Sequence, residues 1–265
     1  MGRTLTYPKR TSNTVNRYRH RATYDLGAIH GIINSSQVLH VSFNPGPSDP
    51  FPTILPMIGQ MGSFDYPSSG INEPLDCYLH GYVSSRIMNL ARASDEGLPI
   101  CVAASKVDGL VLSLTPNSHS YNYRSAVLHG YAKPVTDEEE KVWAMQLITN
   151  SVVTNRWEHS RIPPDSAEMS STVILKARIV DGSGKIRDGS VSDERKDTGN
   201  EEVTHRVWTG VVPVWENFGE PIPSPENRVS DVPDHIASFI KRKNEQNRVY
   251  AEDAVKVQLP AEEQH

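Results

Sequence analysis

The chain has 265 residues, of which 37% are hydrophobic and 22% charged, enough for one large globular domain or two small ones. A formal net charge of −5 speaks against non-specific nucleic-acid binding as its main work, and no run of about 18 apolar residues reads as a membrane-spanning helix. The two cysteines, Cys77 and Cys101, form no C-x-x-C pair. That argues against a disulfide framework or a structural zinc site and for a reduced, cytoplasmic location.

Residues 1–21 carry Arg3, Lys9, Arg10, Arg17, Arg19 and Arg21, with no acid before Asp25 and no apolar stretch of secretory type. Without an apolar helical face they read as a flexible basic arm. Leu26, Ile29, Ile32 and Ile33 then recur at helical spacing, interrupted by two glycines, Gly27 and Gly31. Leu39, Val41 and Phe43 alternate with polar residues as in a half-buried strand, and Asn44 to Pro50 is dense turn chemistry. A second strand, Pro52 to Gly59, contains Pro52 and Pro56, so it belongs at an edge or a bulge. Gln60 to Pro74 reads as a long Gly/Ser/Pro loop, a candidate lid or interface.

The stretch Tyr78-Leu79-His80-Gly81-Tyr82-Val83-Ser84-Ser85-Arg86-Ile87-Met88-Asn89-Leu90 reads as a strand, a glycine turn and the start of a helix, with Ser84 as N-cap. Two hydroxyls and an arginine at a helix N-terminus suit an anion such as a phosphate; an ordinary capped helix with a solvent-facing arginine reads equally well. Downstream, Ile100–Lys106 and Leu110–Thr115 flank Val107-Asp108-Gly109, the signature of a hairpin turn. Arg124–Ala132 is strand-like. Thr136 with Glu139 forms a capping box ahead of a helix through Val142, Met145 and Ile148. Ser171–Ile179 and Val207–Val214 are strands, and Asp181–Glu202 between them reads as a hairpin tip or mobile loop. A proline-rich stretch leads to a short helix, Asp234–Lys243, and an acidic tail follows Tyr250. The sum is a mostly β chain of six or seven antiparallel strands in a barrel or sandwich, with flanking helices. Its expected divisions are the arm 1–21, a domain at 22–225, and a C-terminal helix and tail at 226–265.

The chain has no dinucleotide-binding glycine fingerprint, P-loop, H-E-x-x-H or G-x-S-x-G. His80, His119 and His129 are too far apart for a local metal motif. His119-Ser120-Tyr121-Asn122-Tyr123-Arg124-Ser125 gathers an amide, phenols, hydroxyls and a guanidinium, which could hold a planar heterocycle or simply form a polar loop. Trp208 beside Gly210 could lie against a flat ligand or be an ordinary packed tryptophan.

Taken in order, Tyr24-Asp25-Leu26, Leu39–Phe43, Tyr78–Gly81 with Ser84-Ser85-Arg86, Val107–Leu112, His119–Ser125, Lys185-Ile186-Arg187 and Trp208–Pro213 resemble the flavin-nucleotide-binding branch of the pyridoxamine 5'-phosphate oxidase-like proteins. The resemblance covers roughly residues 22–225. It implies an FMN-binding split β-barrel, a homodimer with flavin at the subunit interface, and oxidoreductase chemistry fed by NADH or NADPH. Carried over by position, Ser84, Ser85 and Arg86 would hold the FMN phosphate, with His80 and Gly81 alongside. The backbone of Leu55, Pro56 and Met57 would meet the isoalloxazine edge. Asn122, Tyr123, Arg124 and Ser125 match a loop near the flavin, and Lys185, Arg187 and Trp208 match late positions that reach the site. The chain departs from the pattern in its long Gln60–Pro74 segment, in Tyr82-Val83 ahead of the serines, and in lacking the basic C-terminal substrate motif of true pyridoxamine 5'-phosphate oxidases. A flavin store or sensor without turnover, and a haem-binding split barrel using His80 or His119, are the alternatives.

Overall fold

A computed structural model describes residues 4–46 and 49–256. The chain forms two compact units: Met1–Ser105 with Ser125–Lys185, and Lys106–Arg124 with Ile186–His265.

In the first unit the strands are β1 (Ala22–Thr23), β2 (Leu39–Phe43), β3 (Thr53–Met57), β4 (Gly59–Gly62), β5 (Asp76–Tyr82) and the unit's parts of three long strands, β6 (Leu98–Leu112), β7 (Ser120–Pro134) and β8 (Thr172–Arg187). Their order is β3-β2-β6-β7-β8-β5-β4, with β1 on β8. β2 pairs antiparallel with β3 and β6, and β5 with β4 and β8. The proline-bearing β3 lies at the sheet's edge, as Pro56 requires, because a proline cannot donate to a second neighbour.

The helices of this unit are α1 (Leu26–Ser35), α2 (Arg86–Arg92), α3 (Glu138–Val152) and α4 (Ser166–Ser171). Asp25 starts α1 by accepting the Ala28 N–H at 2.7 Å, and Ile29 and Ile33 are fully buried against the sheet. Leu39, Val41, Val102, Leu128, Ile174 and Leu175 line the core. Each such side chain contributes roughly 1.5–3 kcal/mol on burial. A second apolar cluster joins Tyr78, Ala144, Ile148 and Ile174, with Trp143 edge-on to both Tyr78 and Phe64.

In the second unit, the end of β6 pairs antiparallel with β9 (Gly210–Pro213). Two short helices, α5 (Arg195–Thr198) and α6 (Glu201–Arg206), precede β9, and α7 (Asp234–Lys256) closes the described chain. Phe239 of α7 packs edge-on to Phe218, and Asn244 holds both the N–H and the carbonyl of Phe218.

Several expectations are corrected. Residues 4–21 are not a free arm: Tyr7 is buried, its hydroxyl bonds His30 at 2.6 Å, and the buried Asn13 amide donates to the carbonyls of Pro8 and Gly182. Val107-Asp108-Gly109 is no hairpin turn but the middle of β6, because Asp108 is buried in an ion pair with Arg124 and Gly109 gives Val211 room to approach. Gln60–Gly62, read as loop, is strand β4 on β5. Asp181, placed in a mobile loop, is buried in β8, bonded to Ser12 and His129. The α3 cap is Asp137, not Thr136, and accepts the Glu140 N–H at 2.8 Å. The Glu140 carboxylate instead takes the Tyr78 hydroxyl and Lys176. The C-terminal helix runs on to Lys256, and the remainder of the expected acidic tail lies outside the described residues.

Candidate functional site

Strand β5 runs along β8 with Leu79 opposite Leu175 and Gly81 opposite Val173. The chain then turns through Tyr82-Val83-Ser84, the Ser85 N–H donating to the Tyr82 carbonyl at 3.0 Å, before α2 begins at Arg86. The N-cap is therefore Ser85 and not Ser84. Its backbone is extended, φ −65° and ψ 149°, as an N-cap needs. Its hydroxyl makes no capping bond. The Ser85 Oγ is buried and has no hydrogen-bond partner among the described residues. An unpaired buried hydroxyl costs roughly 1–3 kcal/mol, so the absence of a cap bond is not neutral.

Arg86 follows directly. Its guanidinium reaches Asp49 and the Pro45 carbonyl, all at 3.4 Å, with 53% of the side chain exposed. Long contacts on an exposed pair make weak partners, so the charge is open to a better one. Behind them, a Cβ on Gly81 would come within 2.3 Å of Met88 Cε and 3.5 Å of Met57, so glycine lets the strand pass close under both methionines. Met57 is buried at the end of β3, Leu55 is half-buried and Pro56 exposed. Ser84 is exposed, its carbonyl accepting from the Asn89 amide at 3.4 Å. Tyr82 is exposed beside it. His80 stands on the exposed side of β5, and partial burial holds its imidazole below the ordinary value. A hydroxyl without a partner, a loosely held guanidinium and the first-turn N–H groups of α2 are together a donor set for a phosphate oxygen.

Two further candidates in this unit serve the sheet. Ser125 donates to the Lys185 carbonyl at 3.1 Å, bridging β7 and β8, and the Lys185 ammonium lies over the Tyr18 ring at 5.7 Å.

The remaining candidates lie in the second unit, where the protein itself occupies them. Asn122 is fully buried; its amide donates to the Gly189 carbonyl at 2.9 Å and its oxygen accepts from Arg187. Arg124 binds both Asp108 oxygens, at 2.9 and 2.7 Å, and stacks 3.4 Å from the centroid of Tyr250. Tyr123 is half-buried between them in β7. Trp208 is exposed and folds its indole over Gly210, where a Cβ would meet it at 2.7 Å. His119 accepts the Ser113 N–H on Nδ1 at 2.9 Å, which places the proton of its neutral form on Nε2.

No group of three or more His, Cys, Asp or Glu among the described residues could hold a metal ion, and no helix is long and apolar enough to cross a membrane. Sequence reasoning missed Asp49, which carries no motif and meets Arg86 only through the turn after β2, and the Asp181–His129 pair, whose members lie far apart in the chain.

A profile of the pyridoxamine 5'-phosphate oxidase family matches residues 25–186, more than half of the chain. The chain belongs to the pyridoxamine 5'-phosphate oxidase family. Two solved structures resemble it over nearly their whole length. The flavocytochrome Anf3 from Azotobacter vinelandii is 24% identical, with 89% of this chain and 99% of that one covered and a TM-score of 0.72. The FAD and haem binding protein from Mycobacterium smegmatis is 20% identical, with 83% and 97% covered and a TM-score of 0.68. These likenesses establish the family's split-barrel fold, an antiparallel sheet with flanking helices. They extend beyond the stretch that the family profile matches. Comparison with curated protein sequences finds no match.

Proposed function

We propose that this member of the pyridoxamine 5'-phosphate oxidase family binds a flavin nucleotide, FMN, and acts as an oxidoreductase between a nicotinamide and a small acceptor or oxygen. The observation that carries the reading is the buried Ser85 hydroxyl at the head of α2, without a partner among the described residues, next to the loosely held Arg86. Both groups fit a phosphate: the hydroxyl gains the bond it lacks and the guanidinium a full charge partner. When bound, the flavin supplies the hydride chemistry. The chain's own part is to hold and orient it. Ser84, Ser85 and Arg86 would hold the phosphate, with His80 and Gly81 alongside, and the Leu55-Pro56-Met57 backbone would lie toward the ring. Asn122, Tyr123, Arg124, Lys185, Arg187 and Trp208 support the reading by position alone, since protein partners engage most of them. A homodimer, in which a second copy completes the flavin's surroundings, belongs to the same reading. Oxidation of pyridoxamine 5'-phosphate itself does not, because the tail lacks the basic substrate motif.

The experiment is a spectrum of the purified protein, identification of any released flavin, and a titration with NADH and NADPH. Flavin bound and bleached by a nicotinamide supports the proposal. Flavin bound but left oxidised favours a store or sensor. A protein that takes up neither FMN nor FAD overturns it.

A second reading, haem bound besides flavin, is favoured by one observation. Two structures that resemble both the family segment and the chain beyond it are a flavocytochrome and a protein named for binding FAD and haem. Of the two histidines first considered, His80 suits an iron ligand better. Neutral His119 keeps its proton on Nε2 and spends the Nδ1 lone pair on Ser113. A Soret band that His80→Ala abolishes supports this reading, and its absence after haem reconstitution removes it.

A further inference from the structure

At the surface of the first unit, residues of β7 and β8, the start of α3 and the turn between α2 and β6 line an open groove of about 550 Å³. None of the candidate flavin residues lines it. The Val135 N–H donates to the Ile174 carbonyl at 2.9 Å and ties the end of β7 to β8. Tyr131 and Lys133 of β7 and Arg178 of β8 are exposed and flank the buried Ala132 and Ala177, so their side chains point away from the core. The turn Asp95-Glu96-Gly97 lies close by. Gly97 is buried with φ +98°, and a Cβ on it would come within 3.1 Å of Tyr131 Cβ and 3.3 Å of Lys133 Cγ. Glycine therefore lets a turn that carries two carboxylates settle on the strand that carries the cations.

Some charges of the groove are spent inside the fold. Asp137 caps α3, and Glu140 accepts from the Tyr78 hydroxyl at 2.7 Å and from Lys176 at 2.8 Å. Lys176 also lies 3.6 Å from Asp76. The other charges are open. The side chains of Asp95, Glu96 and Lys133 make no hydrogen bond or ion pair among the described residues. The Arg178 guanidinium lies over the Tyr131 ring, 5.7 Å from its centroid, and has no carboxylate partner among the described residues. Two carboxylates and two cations thus share one groove without closing to the roughly 4 Å of an ion pair. A simple anion entering it meets two carboxylates, and a simple amine meets two cations. A molecule with both charges is attracted to all four groups.

We propose that this groove binds a small zwitterion, an ammonium and a carboxylate on one aliphatic frame, the chemistry of a free amino acid or a short peptide. The Arg178 fork takes the carboxylate through two N–H donors, with Lys133 as a point charge beside it. The Tyr131 ring steadies the guanidinium. Asp95 and Glu96 accept from the ammonium, which only donates. Pro134 and Val135, both half-buried, line the same groove and receive the aliphatic part. The volume suits such a molecule, since small-molecule sites span roughly 300–1,000 Å³. Binding here does not depend on whether the chain holds a flavin.

The test is a ligand-observed NMR titration of the full chain with L-leucine and with L-leucyl-L-leucine. At least one saturates below about 10 mM, and the tighter of the two tells a free amino acid from a peptide as the source. The amide of that ligand, which lacks the carboxylate, and its N-acetyl form, which lacks the ammonium, bind about tenfold more weakly or worse. Arg178→Gln, and Asp95→Asn together with Glu96→Gln, each raise the Kd of the intact ligand by about tenfold or more. All three side chains are exposed, so the variants melt with the wild type and the loss is one of binding. Failure of both ligands to bind, an amide or N-acetyl form that binds as well as the intact ligand, or a variant with unchanged Kd each overturns the proposal. So does inorganic phosphate that binds more tightly than either ligand, which would mark a plain anion site.

Discussion

Replacing Ser85 by alanine separates a phosphate cradle from an ordinary helix cap, because the two roles give opposite signs. A capping serine accepts a first-turn N–H, and its loss costs about 1 kcal/mol. Ser85 makes no such bond, and its Oγ is buried without a partner among the described residues. Removing it from the flavin-free protein therefore deletes an unsatisfied group whose burial costs roughly 1–3 kcal/mol. The apoprotein should be as stable as wild type or more so, by up to about that amount. In the proposed FMN complex the same hydroxyl would donate to a charged phosphate oxygen, a bond of roughly 1.5–3 kcal/mol. Its loss should raise the FMN Kd by about 10- to 150-fold. The assay is a urea melt of the apoprotein beside a fluorescence titration with FMN. Ser85→Ala that destabilises the apoprotein by a kilocalorie and leaves FMN affinity alone would show a plain cap and refute the reasoning.

Three further outcomes follow from the geometry. Asp49→Asn removes the only carboxylate on Arg86 among the described residues, an exposed pair worth at most about 1 kcal/mol; FMN should bind up to fivefold tighter by titration, whereas weaker binding would mean that Asp49 supports the site. Burial holds His30 below its ordinary 6.5, with Tyr7, the Ile71 carbonyl and Asp25 around it. The unfolded chain then takes up this proton first, so the contribution is intact above pH 6.5 and lost as pH falls through the depressed folded value, with a slope of at most about 1.4 kcal/mol per pH unit. Urea melts of wild type and His30→Phe between pH 7.5 and 5 should differ in slope, and parallel curves count against the assignment. Asp108→Ala leaves the Arg124 guanidinium, only 14% exposed, without its two-point partner; a loss of about 3–5 kcal/mol in denaturant stability is expected, and one below 1 kcal/mol would show that Tyr250 stacking suffices.

The family was readable from the sequence because its signal is an ordered set of short stretches, each governed by local chemistry. Alternation marked β2, a proline marked β3 as an edge, and glycine followed by Ser-Ser-Arg marked the turn into α2. Each rests on contacts within a few residues, which the order of residues determines by itself. Where the sequence misled, a distant partner overrode a local preference. Asp108-Gly109 has turn chemistry, yet Arg124 and Val211 keep it extended in β6. Residues 4–21 have the composition of a loose arm, yet His30 and Gly182 bind them down. The same holds at the sites. That Ser85 rather than Ser84 is buried without a partner among the described residues, that Asp49 meets Arg86, and that Asp181 locks His129 are consequences of pairings across 37 to 169 residues of chain. Hydrophobic pattern and turn residues specify which segments become strands and helices; which polar groups end up satisfied, and which are left open for a ligand, is settled only when those segments pack.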